Sequence, residues 1–316
     1  MNIAILGANS HIAKDLVESF ANSVGYHCEL FVREVVALDS DVRKIAKHKS
    51  YPVLSYSDFS VDSNFDAIIN FVGVGDPARA KIMGAQIFEV TERYDQLALS
   101  YLKQHPECKY IFLSSGAAYG TNFEEPVGDG TNAIFPINNL QSQDWYSVAK
   151  FYTECRHRAM SDFNIVDVRV FGYFSRRQSV DARFFLSDIL RAIKSNAMLG
   201  VSPENMVRDY LVPADFFQLV EKILSAPPLN DVVDCYSIEP VDKFSLLSSV
   251  KAEFGLQFEV VGDNAKLNAT GVKSNYYSLN RNAEKFGYKP GESSLSGVLR
   301  EIKSYLGRGT AREVGS

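Results

Sequence analysis

Apolar and polar positions alternate along the first half of the chain with two different periods. NIAIL at 2–6 is a short unbroken apolar run closed by a glycine, the pattern of a strand buried on both faces, and residues 12–21 follow with helical spacing. The order then repeats: a strand near 28–32, a short one near 52–54, a strong one at 67–72, an amphipathic helix over 85–103, and the strand YIFLS at 110–114. Near-continuous apolar strands alternating with helices predict an α/β fold, a Rossmann-type doubly wound parallel sheet covered on both faces. Beyond 115 the pattern loosens. Residues 120–143 are rich in Gly, Pro, Asn and Asp and read as a long irregular segment, which in a compact domain is more often functional than accidental. A helix over 145–160 and a strand at 165–170 resume the alternation. Shorter elements follow: helices near 184–195, 214–225, 244–254 and 294–305, with a strand-like run at 209–212. The expected organisation is a sheet domain over 1–170, a smaller C-terminal α/β lobe over 171–306 with some segments returning to the sheet, and a flexible polar tail at 307–316.

Composition narrows the class. The chain has 316 residues, 46% hydrophobic and 22% charged, a profile that excludes disorder. Its 33 Lys+Arg against 38 Asp+Glu leave a net charge of −5, which argues against a nucleic-acid partner. The longest largely apolar stretch, 67–74, is far short of the roughly 20 residues a membrane helix needs. The N-terminus runs straight into the first strand without a signal-peptide pattern, so a cytoplasmic location is expected. Cys28, Cys108, Cys155 and Cys235 are scattered, and the five histidines show no ligand spacing; buried thiols and no metal are the expectation.

The turn Gly7-Ala8-Asn9-Ser10-His11-Ile12-Ala13 joins the first strand to the first helix. Small residues at 7, 10 and 13 permit a tight turn, backbone approach to a pyrophosphate and close helix–strand packing, while the helix N-terminus offers free N–H groups to an anion. At the end of the second strand, Val32 takes the position where an acid would hold a ribose, and Arg33 follows it. A guanidinium there suits a 2′-phosphate and favours NADP(H) over NAD(H). Glu34 keeps NAD(H) open, since a one-residue shift would bring it to the ribose; a solvated strand-end cation is the plainer reading of Arg33.

Tyr146 and Lys150 stand at i and i+4 of the helix over 145–160, on one face. A phenol near pKa 10 transfers protons poorly at pH 7, and a neighbouring ammonium would favour phenolate and ease transfer to a carbinol or ketone. Lys150 could also hydrogen-bond a nicotinamide ribose.

Taken together, GANSHIA at 7–13, FDAIINFVGVG at 65–75, SSGAAYG at 114–120, YSVAK at 146–150, RVFGYFS at 169–175 and RDYLVPADF at 208–216 resemble an extended short-chain dehydrogenase/reductase. The group is that of the NAD(P)-dependent epimerases and dehydratases, oxidoreductases of carbohydrate biosynthesis that act mostly on nucleotide sugars. The resemblance implies Ser115 as the catalytic serine, Tyr146 as acid/base and Lys150 as its supporting cation. It places Asp58 near the adenine, Phe71, Val72 and Gly73 along the cofactor, and Arg208 on a substrate diphosphate. A structural salt bridge from Arg208 to Asp209 or Asp215 is the alternative. Residues 120–143 and 173–185 would shape the substrate pocket, with Arg176, Arg177 and Arg183 either meeting a diphosphate or solvated. A homodimer through the helices over 85–103 and 145–160 is the family expectation.

The departures are informative. Ser10 and Ala13 replace glycines, Gly172 and Thr91 stand where the family often has Asn, and Gly116-Ala117 replace the Asp-Glu pair of sugar 4,6-dehydratases, which argues against elimination. Three readings remain: an NADP(H)-dependent reductase of a keto-sugar nucleotide, a 4-epimerase with retained NAD, and a non-catalytic NAD(P)-binding regulatory protein.

Overall fold

The computed structural model of the chain describes residues 1–74, 80, 82–120, 122–262 and 273–313, with side chains through 307; Gly75, the last residue of the FDAIINFVGVG segment, lies outside them. Seven strands form one sheet: β1 (Asn2–Leu6), β2 (His27–Val32), β3 (Val53–Ser55), β4 (Ala67–Asn70), β5 (Lys109–Ser115), β6 (Ile165–Val170) and β11 (Asn230–Asp234). Their order is β11-β6-β5-β4-β1-β2-β3, and every pairing is parallel. The order reverses at β1, where chain connections leave to opposite sides and open a crevice at the carboxyl ends of β1 and β4.

Helices cover both faces. On one side lie α1 (His11–Asn22), α2 (Ser40–Lys49) and, returning from later in the chain, α6 (Pro213–Ser225), whose Phe216, Leu219 and Ile223 join Leu16 and Phe20 in the core. On the other, α3 (Gln86–Leu102) buries Ala98, Leu99 and Tyr101 against Ile68, Tyr110 and Phe112. Beside α3 runs α4 (Trp145–Ala159). Helix starts are set by local chemistry: Ser10 accepts from Ala13 N–H, and Asp39 from Asp41 and Val42 N–H. Pro213 occupies the first turn of α6.

The rest builds a second core around α5 (Phe185–Ser195), α7 (Lys243–Phe254) and α8 (Ser294–Glu313), with Ile189, Leu190, Leu247, Val250, Val298 and Ile302 fully buried. Short strands stitch this lobe: β7 (Gly172–Tyr173) pairs with β10 (Tyr210–Leu211), β8 (Leu199–Val201) with β13 (Phe258–Val260), and β9 (Val207–Arg208) with both β12 (Val241–Asp242) and β14 (Asn275–Tyr276). Two elements had no counterpart in the sequence reading: residues 40–49 form α2 between β2 and β3, and residues 230–234 return from the lobe as the β11 edge of the main sheet. α8 runs on as helix to Glu313, into the segment expected as a tail, while 314–316 lie outside the described residues. Among the described residues no helix is long and apolar enough to cross a membrane.

Candidate active site

The crevice starts at the glycine turn. Gly7 has φ +82°, and a Cβ there would stand 3.0 Å from Phe71 C and Val72 N, so only glycine lets the exit of β4 pass this close. His11 and Ile12 lie in the first turn of α1, where N–H groups lack intrahelical acceptors. Ser10 serves as cap, which explains serine at the second fingerprint position. Two side chains of the turn are committed elsewhere. Asn9 donates to Ala37 O at 2.9 Å and accepts from Asp39 N at 2.9 Å. His11 Nε2 lies 2.7 Å from Ser175 Oγ; burial, then the charges of Lys14 and Arg177, pull its pKa down to about 4. A neutral ring therefore stands beside the turn.

Gly73, next along β4's exit, is the bridge to the reaction centre: a Cβ there would lie 3.5 Å from Lys150 Nζ. Lys150, buried, donates to Leu113 O at 2.7 Å and sits 4.3 Å over the Phe112 ring. Burial pulls its pKa down to about 8, against the charges of Glu154, Asp167 and Asp95. Ser115 closes β5; its hydroxyl accepts from Ala117 N–H at 3.2 Å and lies 3.2 Å from the Tyr276 hydroxyl. Tyr146 shares this centre. Burial raises its pKa, and a hydrogen bond with Ser115 opposes the rise. Lys150 Nζ sits 5.9 Å from the Tyr146 ring centroid, and the phenol's pKa is raised by burial, with Ser115 the group that opposes the rise.

Packing explains two departures. A Cβ on Gly116 would stand 2.4 Å from the Phe171 ring, and one on Gly172 would stand 2.6 Å from Asp209 O. Neither an acid at 116 nor an asparagine at 172 fits without moving these groups. Thr91, where the family often carries Asn, is buried and donates to Ile87 O within its own helix.

The lobe contributes two cations. Arg208 donates to Val207 O at 2.8 Å and Ser274 O at 3.4 Å, and burial lowers its pKa. No carboxylate lies within 4.0 Å of it among the described residues: Asp209 accepts from Ser237 and Ser294, and Asp215 from Gly291. Register pairs Arg208 with Tyr276. Lys273, over the rings of Phe123 and Tyr276 at 4.6 and 4.4 Å, is pulled to about 8 by burial and by Arg208, against Asp144. By contrast Arg176 and Arg177 are bound to Glu18, Asp15 and Asp41, so they are structural rather than free for a diphosphate. Sequence reasoning missed Lys273 and Tyr276; a cation and two phenols in Lys273-Ser274-Asn275-Tyr276-Tyr277 were the available signal.

At the other end, a cavity of about 500 Å³ is lined by Arg33, Ser55, Tyr56 and Ser57 and by the start of α3. Tyr56 on its wall lies near enough to the Gly7 backbone for that group to act on the phenol, so the cavity abuts the glycine turn. Glu34 is not on its wall. Asp58, expected at the adenine, is exposed and off this wall; its carboxylate accepts from Ser55 N–H at 2.9 Å and Ser55 O–H at 2.8 Å. A glycine-only turn, free helix N–H groups and an open cavity beyond them fit a dinucleotide lying across the carboxyl ends of β1 and β4.

The model of the NAD dependent epimerase/dehydratase family matches residues 3–238, and the chain belongs to that family. No curated protein matches it in sequence. Among solved structures it is similar to dTDP-glucose 4,6-dehydratase from Bacillus anthracis str. Ames in complex with NAD, at 14% identity and TM-score 0.77 over 98% of this chain and 97% of that one. UDP-glucose 4-epimerase from Thermotoga maritima with UDP-glucose matches at 15% and 0.79 over 98% and 100%. UDP-glucuronic acid 4-epimerase from Bacillus cereus, in complex with UDP-glucuronic acid and NAD, matches at 15% and 0.76 over 98% and 99%. At these identities the likeness is one of fold.

Proposed function

We propose that this family member is an NADP(H)-dependent reductase of a nucleotide-linked keto-sugar. The observation that carries the reading is the state of the β5 exit. Ser115 and Tyr146 meet there, while the two positions that would bear an elimination pair are Gly116 and Ala117, the first pressed beneath Phe171. The residues of the crevice fit a nicotinamide dinucleotide, with His11 and Ile12 N–H at the pyrophosphate, Phe71, Val72 and Gly73 along it, and Arg33 at the adenosine end. The chemistry supplied by that group when bound is a reversible two-electron exchange at a carbinol carbon. This chain's own part is acid–base and electrostatic. Ser115 donates to the substrate carbonyl oxygen, and Tyr146, its pKa raised, is a protonated phenol able to hand its proton to the developing alkoxide. Lys150, beside Gly73, orients a ribose hydroxyl and supplies positive charge. Arg208 and Lys273, without carboxylates within 4.0 Å among the described residues, hold the substrate's diphosphate. The nucleotide-sugar class comes from the family and from the neighbours' ligands.

Mass spectrometry of nucleotide released on gentle denaturation, followed by NADPH oxidation with a panel of UDP-, dTDP-, GDP- and CDP-linked keto-sugars, tests this. Tightly retained NAD+ with no NADPH turnover would reject reduction. It would favour the second reading, a 4-epimerase using the same Tyr146 and Ser115 in both directions, which the names of two structural neighbours support.

A further inference from the structure

The adenosine-end cavity has two sides. Arg33, Ser55, Tyr56 and Ser57 come from the ends of β2 and β3, and Glu89, Val90, Arg93 and Tyr94 come from α3. An aromatic pair spans the gap, with the Tyr56 and Tyr94 ring centroids 4.3 Å apart. Arg33 is close enough to Tyr56 for its charge to act on that phenol, and the Arg93 guanidinium lies 5.8 Å from the Tyr94 centroid. One arginine therefore approaches each member of the pair, from opposite walls of one cavity. Both are exposed, and among the described residues neither has a carboxylate oxygen within 4.0 Å. Glu89, one turn before Arg93, is the one acid among the lining residues, so the wall carries two positive charges against one negative.

A lone arginine at a strand end is an ordinary solvated group. Two arginines facing one cavity, without a carboxylate partner among the described residues and with the lining acid outnumbered, are suited to a phosphate monoester dianion, which accepts charge-assisted bonds from more than one guanidinium. Because the cavity abuts Gly7 through Tyr56, that phosphate would sit on the adenosine half of a dinucleotide lying on the turn. We infer that Arg93, reaching in from α3, completes with Arg33 a two-arginine clamp for the 2′-phosphate of NADP(H). The inference rests on the cofactor reading above and adds a residue from a different element of the fold.

Isothermal titration calorimetry with 2′,5′-ADP and 5′-AMP tests it without turnover, using the full chain and its Arg33→Ala, Arg93→Ala and double variants, each checked for an unchanged melting temperature. The wild-type chain is expected to prefer 2′,5′-ADP. Each single variant should lose about tenfold for 2′,5′-ADP, the factor commonly carried by one charge-assisted bond, with less than twofold change for 5′-AMP. The double variant should bind the two nucleotides alike. Loss on Arg33→Ala with no change on Arg93→Ala would overturn the clamp and leave the NADP(H) reading standing. Equal loss of both nucleotides on Arg93→Ala would also overturn it, as Arg93 would then serve the adenosine rather than its phosphate. Equal affinity of the wild-type chain for the two nucleotides would sink the clamp and the NADP(H) preference together.

Discussion

Helix α4 carries four ionisable groups along one side, and its two halves treat them differently. In the C-terminal half every group has a partner. Glu154 accepts from Ser114 and pairs with Arg169, and His157 bridges Asp167 at 2.6 Å and Asp95 at 2.8 Å. Those carboxylates have further cations in Arg158 and Arg156, and Tyr110 extends the network to Asn70 on β4. In the N-terminal half, Tyr146 meets only a hydroxyl and Lys150 a backbone carbonyl, with no carboxylate within 4.0 Å among the described residues. The same helix thus holds charges that are satisfied internally and polar groups left with capacity for something else. Buried polar groups are normally paired, so an under-used pair at a crevice is a candidate for ligand contact, while a network of mutually paired charges serves the fold.

The largest test removes the phenol. Tyr146→Phe should lower turnover on the order of 10²- to 10⁴-fold, the usual worth of general acid–base catalysis, with cofactor affinity and melting temperature unchanged. Near-full turnover would transfer the acid role elsewhere and dissolve the contrast. The opposite half should answer in stability instead. His157→Gln removes the cation between Asp95 and Asp167, leaving one arginine on each, and should cost about 3–5 kcal/mol in urea unfolding.

A pH series sharpens that second test. Burial alone would pull the His157 imidazole down, but the Asp167 charge and the hydrogen bonds to both carboxylates outweigh it and hold the pKa near about 9, above the 6.5 of a free histidine. Its contribution is therefore complete below pH 6.5 and is lost as pH rises through about 9. Unfolding free energy of the wild-type chain should fall over that window and that of His157→Gln should not. Parallel curves would mean the histidine is neutral in the fold. Next in size, Arg208→Ala should raise the KM for a nucleotide sugar by about tenfold or more, the loss of a charge-assisted bond, with turnover less affected. An unchanged KM would return Arg208 to a structural role.

Much of this was legible because it is local. NIAIL, the glycine turn and YSVAK specify their elements by period and spacing, and the parallel sheet appears as expected. What was not legible depends on neighbours distant in sequence. Whether Asn9 or Asp58 would be free could not be read, because Asp39 and Ser55 claim them through loop geometry. Arg176, Arg177 and Arg208 look alike as letters; only the fold brings Asp15, Glu18 and Asp41 to the first two and leaves the third without an acid among the described residues. Residues 230–234 are five residues with acids at 231 and 234, too polar to announce a sheet strand. They become one because β6 offers its free edge, and Asp234 finds Arg169 and Tyr119.

The smallest effect bears most directly on the contrast within α4, because one outside group touches its reactive half. The Ser115 hydroxyl has one proton and two acceptor positions; Ala117 N–H fills one position, and Tyr146 and Tyr276 share the rest. A substrate oxygen can bond to Ser115 only by displacing one of these phenols. Tyr276 is the one that comes from the lobe, on β14. Tyr276→Phe would keep its ring in place, between Phe123 at 4.7 Å and Phe171 at 5.2 Å and beneath Lys273, while deleting the competing hydroxyl. If Tyr276 merely holds the place of substrate, KM should fall about fivefold, since a net hydrogen bond is worth about 1 kcal/mol, and kcat should hardly move. A rise in KM would instead mean that the phenol itself bonds the substrate, and that the lobe shares in the chemistry otherwise held by the β5 exit and the first turns of α4.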